Sequence, residues 1–558
     1  MINTLSRLLY FEEKKIFFSL LLIIVGVSFT ETFGIFLIYS LIKKEKIFNI
    51  DFFLDKDLFF ILYSIIIFFI FKSFLLNFLS WKLNQFVRNF SLRNSELLLR
   101  IYLNKELNFY TKHNSSELIK NNYSEINKLA ICYDSCTRLF GEIFVLIFVV
   151  CFLLFFNFSI TFFFLIFLSL AGLIFILFSK KNLEKFNYID HIYTGIVLKN
   201  LQEAFRSIRD IYIYSLAKFY IKKFIKNYFI LREANFFSAI IKELPKNNIE
   251  LILIFLVFLF LKFEDENLFK IQKTFDIGFL LVVFFSAFRL VPGTLRIVGF
   301  FNTINNHKKT VNVLYFLLKK KKKFFLKKKK INFKKQISVK NISFKYPRTN
   351  SYIFKNLNLN IKKNQKYLIT GSSGCGKTTL VDILTGLLNP TQGNVLIDKS
   401  NLKNIKQAWF ENVSYMSQNS QLFDSTILEN ITLNDYPNNI NKNNLKNALK
   451  NSNSNNFVWN LQKNLNYNVG ENGQKLSGGQ RQRILLARAL YKSSDVLIFD
   501  ESFSALDLKN TKKILQLIKN IKDRTIIIIH HNITKLNFVD YEINFKKKIV
   551  NVKKNRKF

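Results

Sequence analysis

The segment Gly371-Ser372-Ser373-Gly374-Cys375-Gly376-Lys377-Thr378-Thr379 carries the most legible chemistry in this chain. It follows the apolar run Tyr367 to Ile369 and leads into a helical stretch ending near Leu387, so strand, glycine loop and helix come in the order a phosphate-binding loop requires. Glycines let successive backbone N–H groups turn inward on phosphate oxygens, and the start of the helix adds a favourable dipole. Lys377 then reaches the β- and γ-phosphates of a nucleoside triphosphate, and the Thr378 hydroxyl ligates its Mg²⁺. A second element, Val496-Leu-Ile-Phe-Asp500-Glu501, is a buried-type strand ending in two carboxylates. Asp500 suits the Mg²⁺ shell, and Glu501 is placed to polarise an attacking water. The third, Leu476-Ser477-Gly478-Gly479-Gln480 followed by Arg481-Gln482-Arg483, is another phosphate cradle at a helix start. A chain that already has one cradle uses a second when it closes over nucleotide held by another copy.

These strings together resemble the ABC ATPase family, whose signature is Leu-Ser-Gly-Gly-Gln and whose nucleotide-binding domains sandwich two ATP molecules head to tail. The resemblance implies ATP and Mg²⁺ as cofactors. It also gives roles to further residues: Tyr346 stacks on adenine, Gln418 contacts Mg²⁺ and senses the membrane domain, and His531 is the switch histidine near the γ-phosphate. Gly470-Glu471-Asn472-Gly473 resembles the segment that exporters set against coupling helices, and Ser504-Ala505-Leu506-Asp507 the D-loop. Two departures stand out. Ser502-Phe503 replaces the usual Ala-Thr, and His530-His531-Asn532 replaces the usual Ser-His-Arg, leaving two neighbouring histidines of which the offset favours His531. Since one chain carries the whole set, a homodimer has two competent sites and needs no different subunit.

The elements that must position these groups fall into two halves. At 558 residues the chain exceeds what one hydrophobic core normally fills. Composition divides it into a transmembrane domain over 1–315, a Lys-rich linker over 316–335 and a nucleotide-binding domain over 336–558. The expected fold class is multidomain, an all-α six-helix transmembrane domain followed by an α/β P-loop ATPase domain. A spanning helix needs about 20 apolar residues, because lipid offers no partners to open backbone groups. Six stretches meet or approach that, at about 16–42, 57–80, 140–157, 160–178, 247–263 and 276–300, the fifth least clearly bounded. The first run is long and lacks a small-residue cleavage site, so it reads as an anchor rather than a cleaved signal. Six spans and cytosolic ATP put both termini in the cytoplasm, in an inner-membrane protein. The helix-like segments 81–139 and 179–246 then lie inside, in the manner of exporters, with coupling-helix candidates near 107–120 and 198–214.

The net charge of +44, from 82 basic and 38 acidic side chains, raises nucleic acid or an anionic membrane surface as partner. No nucleic-acid motif accompanies the charge, and abundant Lys, Asn, Ile and Phe together fit an AT-biased genome, so nucleic acid is not expected as a partner. The lysines of segment 319–330 are either solvated linker or a membrane-hugging strip. Cys132, Cys136, Cys151 and Cys375 form no paired CxxC spacing, which points away from a disulfide framework or zinc.

Charges within spans are costly and normally face a cavity or a partner. Arg289 and Arg296 are seven residues apart, about two helical turns, hence on one face. With Lys72 and Lys246 they are candidates to line a basic cavity for a pyrophosphate headgroup; alternatively Arg289 pairs with Glu31 or Glu142, and the lysines snorkel. The strings Ser28-Phe-Thr-Glu31-Thr-Phe33, Glu243-Leu-Pro245-Lys246 and Phe288-Arg289-Leu290-Val-Pro292 resemble the lipid-linked oligosaccharide flippases of the PglK type. That resemblance implies a lipid-linked oligosaccharide or related glycolipid as substrate. Export of lipid A-type lipid, peptide or drug, or an ATP-gated protein without transport, stays open beside it.

Overall fold

The computed structural model describes residues 2–43, 58–110, 112–156, 158–247, 258, 277–319, 330–347, 349, 351–433, 439–502, 508–530, 536–546 and 549–555. The chain divides into two compact units, Met1–Lys105 with His113–Lys323, and Glu106–Lys112 with Phe324–Phe558.

The first unit is helical. Its main helices are α1 (Ile2–Leu8), α2 (Phe11–Lys43), α3 (Leu58–Leu103), α4 (Ile126–Phe156), α5 (Phe158–Arg206), α6 (Ala217–Asn247), α7 (Ile277–Asn306) and α8 (Lys308–Lys319), with short helices at Ser115–Lys120 and Ile208–Ile213. Runs of Leu, Ile and Phe with few breakers favour uninterrupted helix, the state that satisfies every backbone group without water. Helix α3 shows what solvent such a helix suits: Phe59, Ile67, Phe71 and Phe74 point outward, and only 6% of its most apolar window is buried. An apolar helix that exposes its apolar side chains belongs in lipid. Among the described residues, three stretches are long and apolar enough to cross a membrane: Phe11–Leu37, Leu62–Leu103 and Ser115–Phe155. The sequence-predicted span at 247–263 lies outside the described residues except 247 and 258, while α7 covers the stretch predicted at 276–300.

Helix lengths explain the predicted inside segments. Helix α3 has 46 residues and α5 has 49, at least about 70 Å each at 1.5 Å per residue, more than twice the hydrocarbon thickness. Residues 81–103 and 179–206 therefore continue the same helices beyond any bilayer. At one end Arg93 of α3 pairs with Glu13 of α2 and donates to the Leu8 carbonyl at 3.0 Å. Across a long sequence separation, Thr310 of α8 donates to the buried Glu125 carboxylate at 2.5 Å.

The second unit contains two sheets. An antiparallel sheet runs β2 (Phe354–Lys362), β1 (Gln336–Phe344), β4 (Gln392–Ile397), β5 (Ser400–Asn401). A six-stranded sheet has the order β10-β9-β3-β8-β7-β6, with β3 (Lys366–Gly371), β6 (Val413–Met416), β7 (Val496–Asp500), β8 (Thr525–Ile529), β9 (Tyr541–Lys546) and β10 (Ile549–Lys554). All its neighbouring strands are parallel except the β9–β10 pair. Strands β7 and β8 are buried at every position, as parallel strands covered on both faces must be. Register fixes the site: Ile369 of β3 and Asp500 of β7 both pair with Ile529 of β8. The carboxyl ends of three adjacent strands thus finish in one row, the place where open α/β sheets bind ligands. The seven residues Glu106–Lys112 also belong to this unit, with Asn389 Nδ2 donating to Glu106 Oε1 at 2.8 Å.

Candidate functional site

The loop after β3 is shaped by three glycines with positive φ: 148° at Gly371, 77° at Gly374 and 105° at Gly376. Two of these positions cannot accept a side chain. A Cβ on Gly376 would lie 2.4 Å from Ile353 Cγ2, and one on Gly371 would lie 2.8 Å from Phe545 Cβ. Helix α9 (Lys377–Thr385) begins directly after the loop, with Lys377 as its first residue. The Lys377 ammonium is turned into the loop, donating to the Gly371 and Ser372 carbonyls at 3.0 and 2.9 Å, with Cys375 Sγ at 4.0 Å. Ser372, Ser373, Gly374 and Thr378 are exposed, whereas Thr379 is buried and shares a hydrogen bond of 3.0 Å with the Tyr346 hydroxyl. The Tyr346 ring stands edge-on to Phe344 at 5.1 Å, which fixes its plane. A cradle closed by a lysine and flanked by an anchored aromatic ring fits a nucleotide: the loop would hold its phosphates and Tyr346 its base.

Asp500 is 1% exposed at the end of β7. Burial pushes its carboxyl above the usual range, against the hydrogen bonds it accepts from Thr378 and Tyr415. The Tyr415 contact measures 3.2 Å from the hydroxyl to Oδ2. Two of the three residues assigned to magnesium, Thr378 and Asp500, are therefore already in contact, a fit of those donors to a hard cation, while the third, Gln418, bonds Glu501. The next residue, Glu501, has φ 48°, an uncommon backbone state for a side chain of this kind, and its N–H donates to the Ile529 carbonyl at 3.1 Å. Ser502 Oγ donates to the Met416 carbonyl at 2.8 Å, tying this turn to β6. Beyond β6, Gln418 Nε2 donates to Glu501 Oε2 at 2.8 Å. The structure thus brings Lys377, Thr378, Asp500, Glu501 and Gln418 to one row of strand ends.

The signature opens helix α10 (Gly478–Tyr491). Ser477 caps it, accepting from the Gln480 N–H at 3.2 Å while the Ser477 N–H donates to Gln480 Oε1 at 3.0 Å. The cap engages the Ser477 and Gln480 side chains and leaves Ser477 and Gly478 exposed, with Gly479 half-buried. His531 and the segment 504–507 lie outside the described residues, so the switch histidine and the D-loop have no place in this geometry.

In the first unit, Arg289 and Arg296 of α7 line a cavity of about 190 Å³ together with Ser28 and Glu31 of α2 and Thr137 and Glu142 of α4. Both arginines are paired. Arg289 bonds Glu31 through Nε and reaches Glu142 at 3.3 Å, and Arg296 grips Glu142 with two bonds of 2.8 and 3.1 Å. Two guanidinium groups against two carboxylates give a charge-balanced network, the pairing alternative raised from the sequence. Lys72 is not in the cavity lining; its ammonium lies over the Phe69 ring at 5.3 Å. The Lys246 side chain lies outside the described residues.

Sequence reading missed Asp382 and Tyr415. Asp382 is buried in α9, hydrogen-bonded to Tyr415, and its carboxyl is pushed up to about 6 by burial and then by the Asp500 charge. The available signal was a lone carboxylate inside the apolar run Leu380-Val-Asp382-Ile-Leu, where a charge is costly without a partner.

Residues 354–504 match the family described as ABC transporter. The chain is 35% identical over 211 residues to ABC transporter B family member 13 of Arabidopsis thaliana, covering 38% of this chain and 17% of that protein. It is 36% identical over 205 residues to the ATP-dependent lipid A-core flippase of Wigglesworthia glossinidia brevipalpis, covering 36% of this chain and 35% of the relative. The chain thus spans about a third or less of these relatives' own lengths. A solved bacterial Atm1-family ABC exporter with ATP bound superposes with a TM-score of 0.77 at 17% identity, covering 96% of this chain and 94% of that one. That likeness gives the fold: a helical domain with apolar helices followed by an α/β domain of the ABC ATPase type.

Proposed function

We propose that this chain is an ATP-binding cassette exporter that works as a homodimer, hydrolysing Mg·ATP to move an amphipathic substrate across the inner membrane. The observation that carries the reading is the row of strand ends where Lys377, Thr378, Asp500, Glu501 and Gln418 converge. ATP, when bound, supplies a γ-phosphoryl group whose transfer to water is favourable and slow. In the chain's part of the chemistry, Lys377 leaves its two loop carbonyls for phosphate oxygens, Thr378 and Asp500 hold the magnesium with Gln418 beside them, and Glu501 accepts a proton from water. His531 is assigned the γ-phosphate contact by its position in the sequence alone. The Ser477-Gly478-Gly479-Gln480 turn, exposed at Ser477 and Gly478, serves the partner's nucleotide.

Six spans with both termini cytoplasmic complete the architecture, with the domain boundaries at 315 and 336. Residues 107–120 and 198–214 are the coupling segments. The exposed Phe205, Tyr212, Ile213 and Tyr214 support the second of these, since a cluster of exposed aromatic and aliphatic side chains marks a docking surface. For substrate we favour a lipid-linked oligosaccharide or related glycolipid, on the resemblance of the membrane-half strings. The pairing of Arg289 and Arg296 with Glu31 and Glu142 favours a second reading, export of a peptide, a hydrophobic drug or a lipid whose headgroup these two arginines do not bind.

Complementation tests the dimer. A Lys377→Ala chain and a Ser477→Ala, Gly479→Asp chain are each inactive as homodimers. A head-to-tail heterodimer restores one intact composite site, so mixed expression regains ATP hydrolysis; mixtures as inactive as either parent would remove the proposal. Reconstitution in liposomes with labelled lipid-linked oligosaccharide decides the substrate: ATP-dependent translocation is expected, and its absence with hydrolysis intact leaves the second reading.

A further inference from the structure

Asp382 and Tyr415 belong to none of the roles assigned so far, yet both sit behind the magnesium ligands. Tyr415 of β6 pairs with Ile498 of β7, and Asp500 lies two residues further along β7. Side chains two apart on a strand share a face, so Tyr415 and Asp500 are diagonal neighbours within reach of a long side chain. The hydroxyl donates to Asp500 Oδ2 at 3.2 Å. On the other side, Asp382 lies four residues after Thr378 in α9, one turn along the same face, and accepts from the same hydroxyl. One phenol proton is thus shared between two carboxylates that are 8% and 1% exposed.

We propose that Asp382 and Tyr415 are a positioning pair for the magnesium site: Asp382 braces the Tyr415 hydroxyl, and Tyr415 fixes the orientation of Asp500. Asp500 accepts from two hydroxyls, those of Thr378 and Tyr415. Thr378 is the one assigned to the metal, which leaves Tyr415 as the donor that keeps the carboxylate aimed. The pair has a second hold on the site, because Gln418 follows three residues after Tyr415 on the same segment and bonds Glu501. Groups that orient a metal ligand, without touching the metal, typically change its affinity by about 10- to 100-fold when removed. The inference rests on the nucleotide-site reading above.

The test uses the full-length protein in nanodiscs and a fluorescent ATP analogue, titrated with Mg²⁺ and also measured in EDTA. Tyr415→Phe deletes a single oxygen, and Asp382→Ala removes the brace. Both are expected to raise the half-saturating Mg²⁺ about tenfold while leaving metal-free nucleotide affinity at the wild-type level. Asp382→Asn, which keeps a polar partner of the same size on the hydroxyl, is expected to stay within about threefold of wild type, a rescue that simple loss of packing would not produce. Unchanged Mg²⁺ dependence in a folded Tyr415→Phe protein, beside a wild type that responds to Mg²⁺, would overturn the pair alone. Equal weakening with and without Mg²⁺ would also overturn it, by showing a general loosening of the site. A wild type that binds no nucleotide would remove the site reading itself.

Discussion

Gln418 Nε2 donates to Glu501 Oε2 at 2.8 Å, so the segment after β6 is joined to the carboxylate proposed to activate water. Glu501 is held from the other side by its backbone bond to Ile529 and carries an uncommon φ of 48°. A carboxylate fixed at both ends, at the edge of a parallel sheet, is preorganised for one task.

Glu501→Gln keeps the size and the hydrogen-bond capacity but removes the base. Phosphate release in the purified protein is expected to fall about 10²- to 10⁴-fold, the usual worth of a positioned general base, with nucleotide binding retained. Undiminished release would withdraw the assignment.

Lys377 places its ammonium 3.0 and 2.9 Å from two loop carbonyls and is 5% exposed. Lys377→Ala removes both the charge and the group that organises the loop. A fluorescent nucleotide titration is expected to show affinity at least about tenfold weaker, since charge-assisted bonds to phosphate contribute roughly 1.5–3 kcal/mol each.

Asp398 accepts three consecutive backbone N–H groups, from Lys334 at 2.8 Å, Lys335 at 2.7 Å and Gln336 at 2.9 Å, and so pins the chain where it enters β1. Burial pushes its carboxyl up, but the three bonds outweigh this and hold it below its ordinary 3.8. A depressed carboxyl stabilises the fold above its unfolded value and loses that contribution as pH falls through the folded one. Asp398→Asn, which tolerates the φ of 52° at this position, is expected to cost about 1 kcal/mol at neutral pH after solvent screening. In urea unfolding the gap to wild type should close below about pH 3.8, and a gap that persists there would show that charge is not its source.

Glu142 serves both Arg289 and Arg296, and its removal leaves Arg289 with Glu31 and takes both carboxylate bonds from Arg296. Glu142→Ala is expected to cost about 1–3 kcal/mol, seen as a lower melting temperature in detergent. Arg296→Ala in the same background should cost less than it does alone, because the partner has already gone. Additive losses in that cycle would mean that the bidentate contact contributes nothing.

Much of the chemistry was readable from linear order because phosphate loops are local objects. Glycines at 371, 374 and 376 before Lys377 dictate a cradle wherever they stand between a strand and a helix, and Ser477 with Gln480 dictates a capped helix start. Apolar runs were equally legible, since lipid selects for composition. Helix ends were not: α3 and α5 run far past their apolar stretches, because side-chain polarity marks where a membrane stops and says little about where backbone hydrogen bonding stops.

Residue types along the chain thus determined the division into an apolar helical half and a polar nucleotide half, and named Lys377, Thr378, Asp500 and Glu501. Only the tertiary structure decided what surrounds them. Sheet register brought Ile369, Ile529 and Asp500 into one row, and the approach of α9 to β6 set Asp382 and Tyr415 behind Thr378 and Asp500. Helix packing likewise put Glu31 and Glu142 against Arg289 and Arg296, turning four isolated charges into a neutral network. Pairings between residues more than 100 positions apart depend on how elements dock, and no periodicity within a single element encodes that.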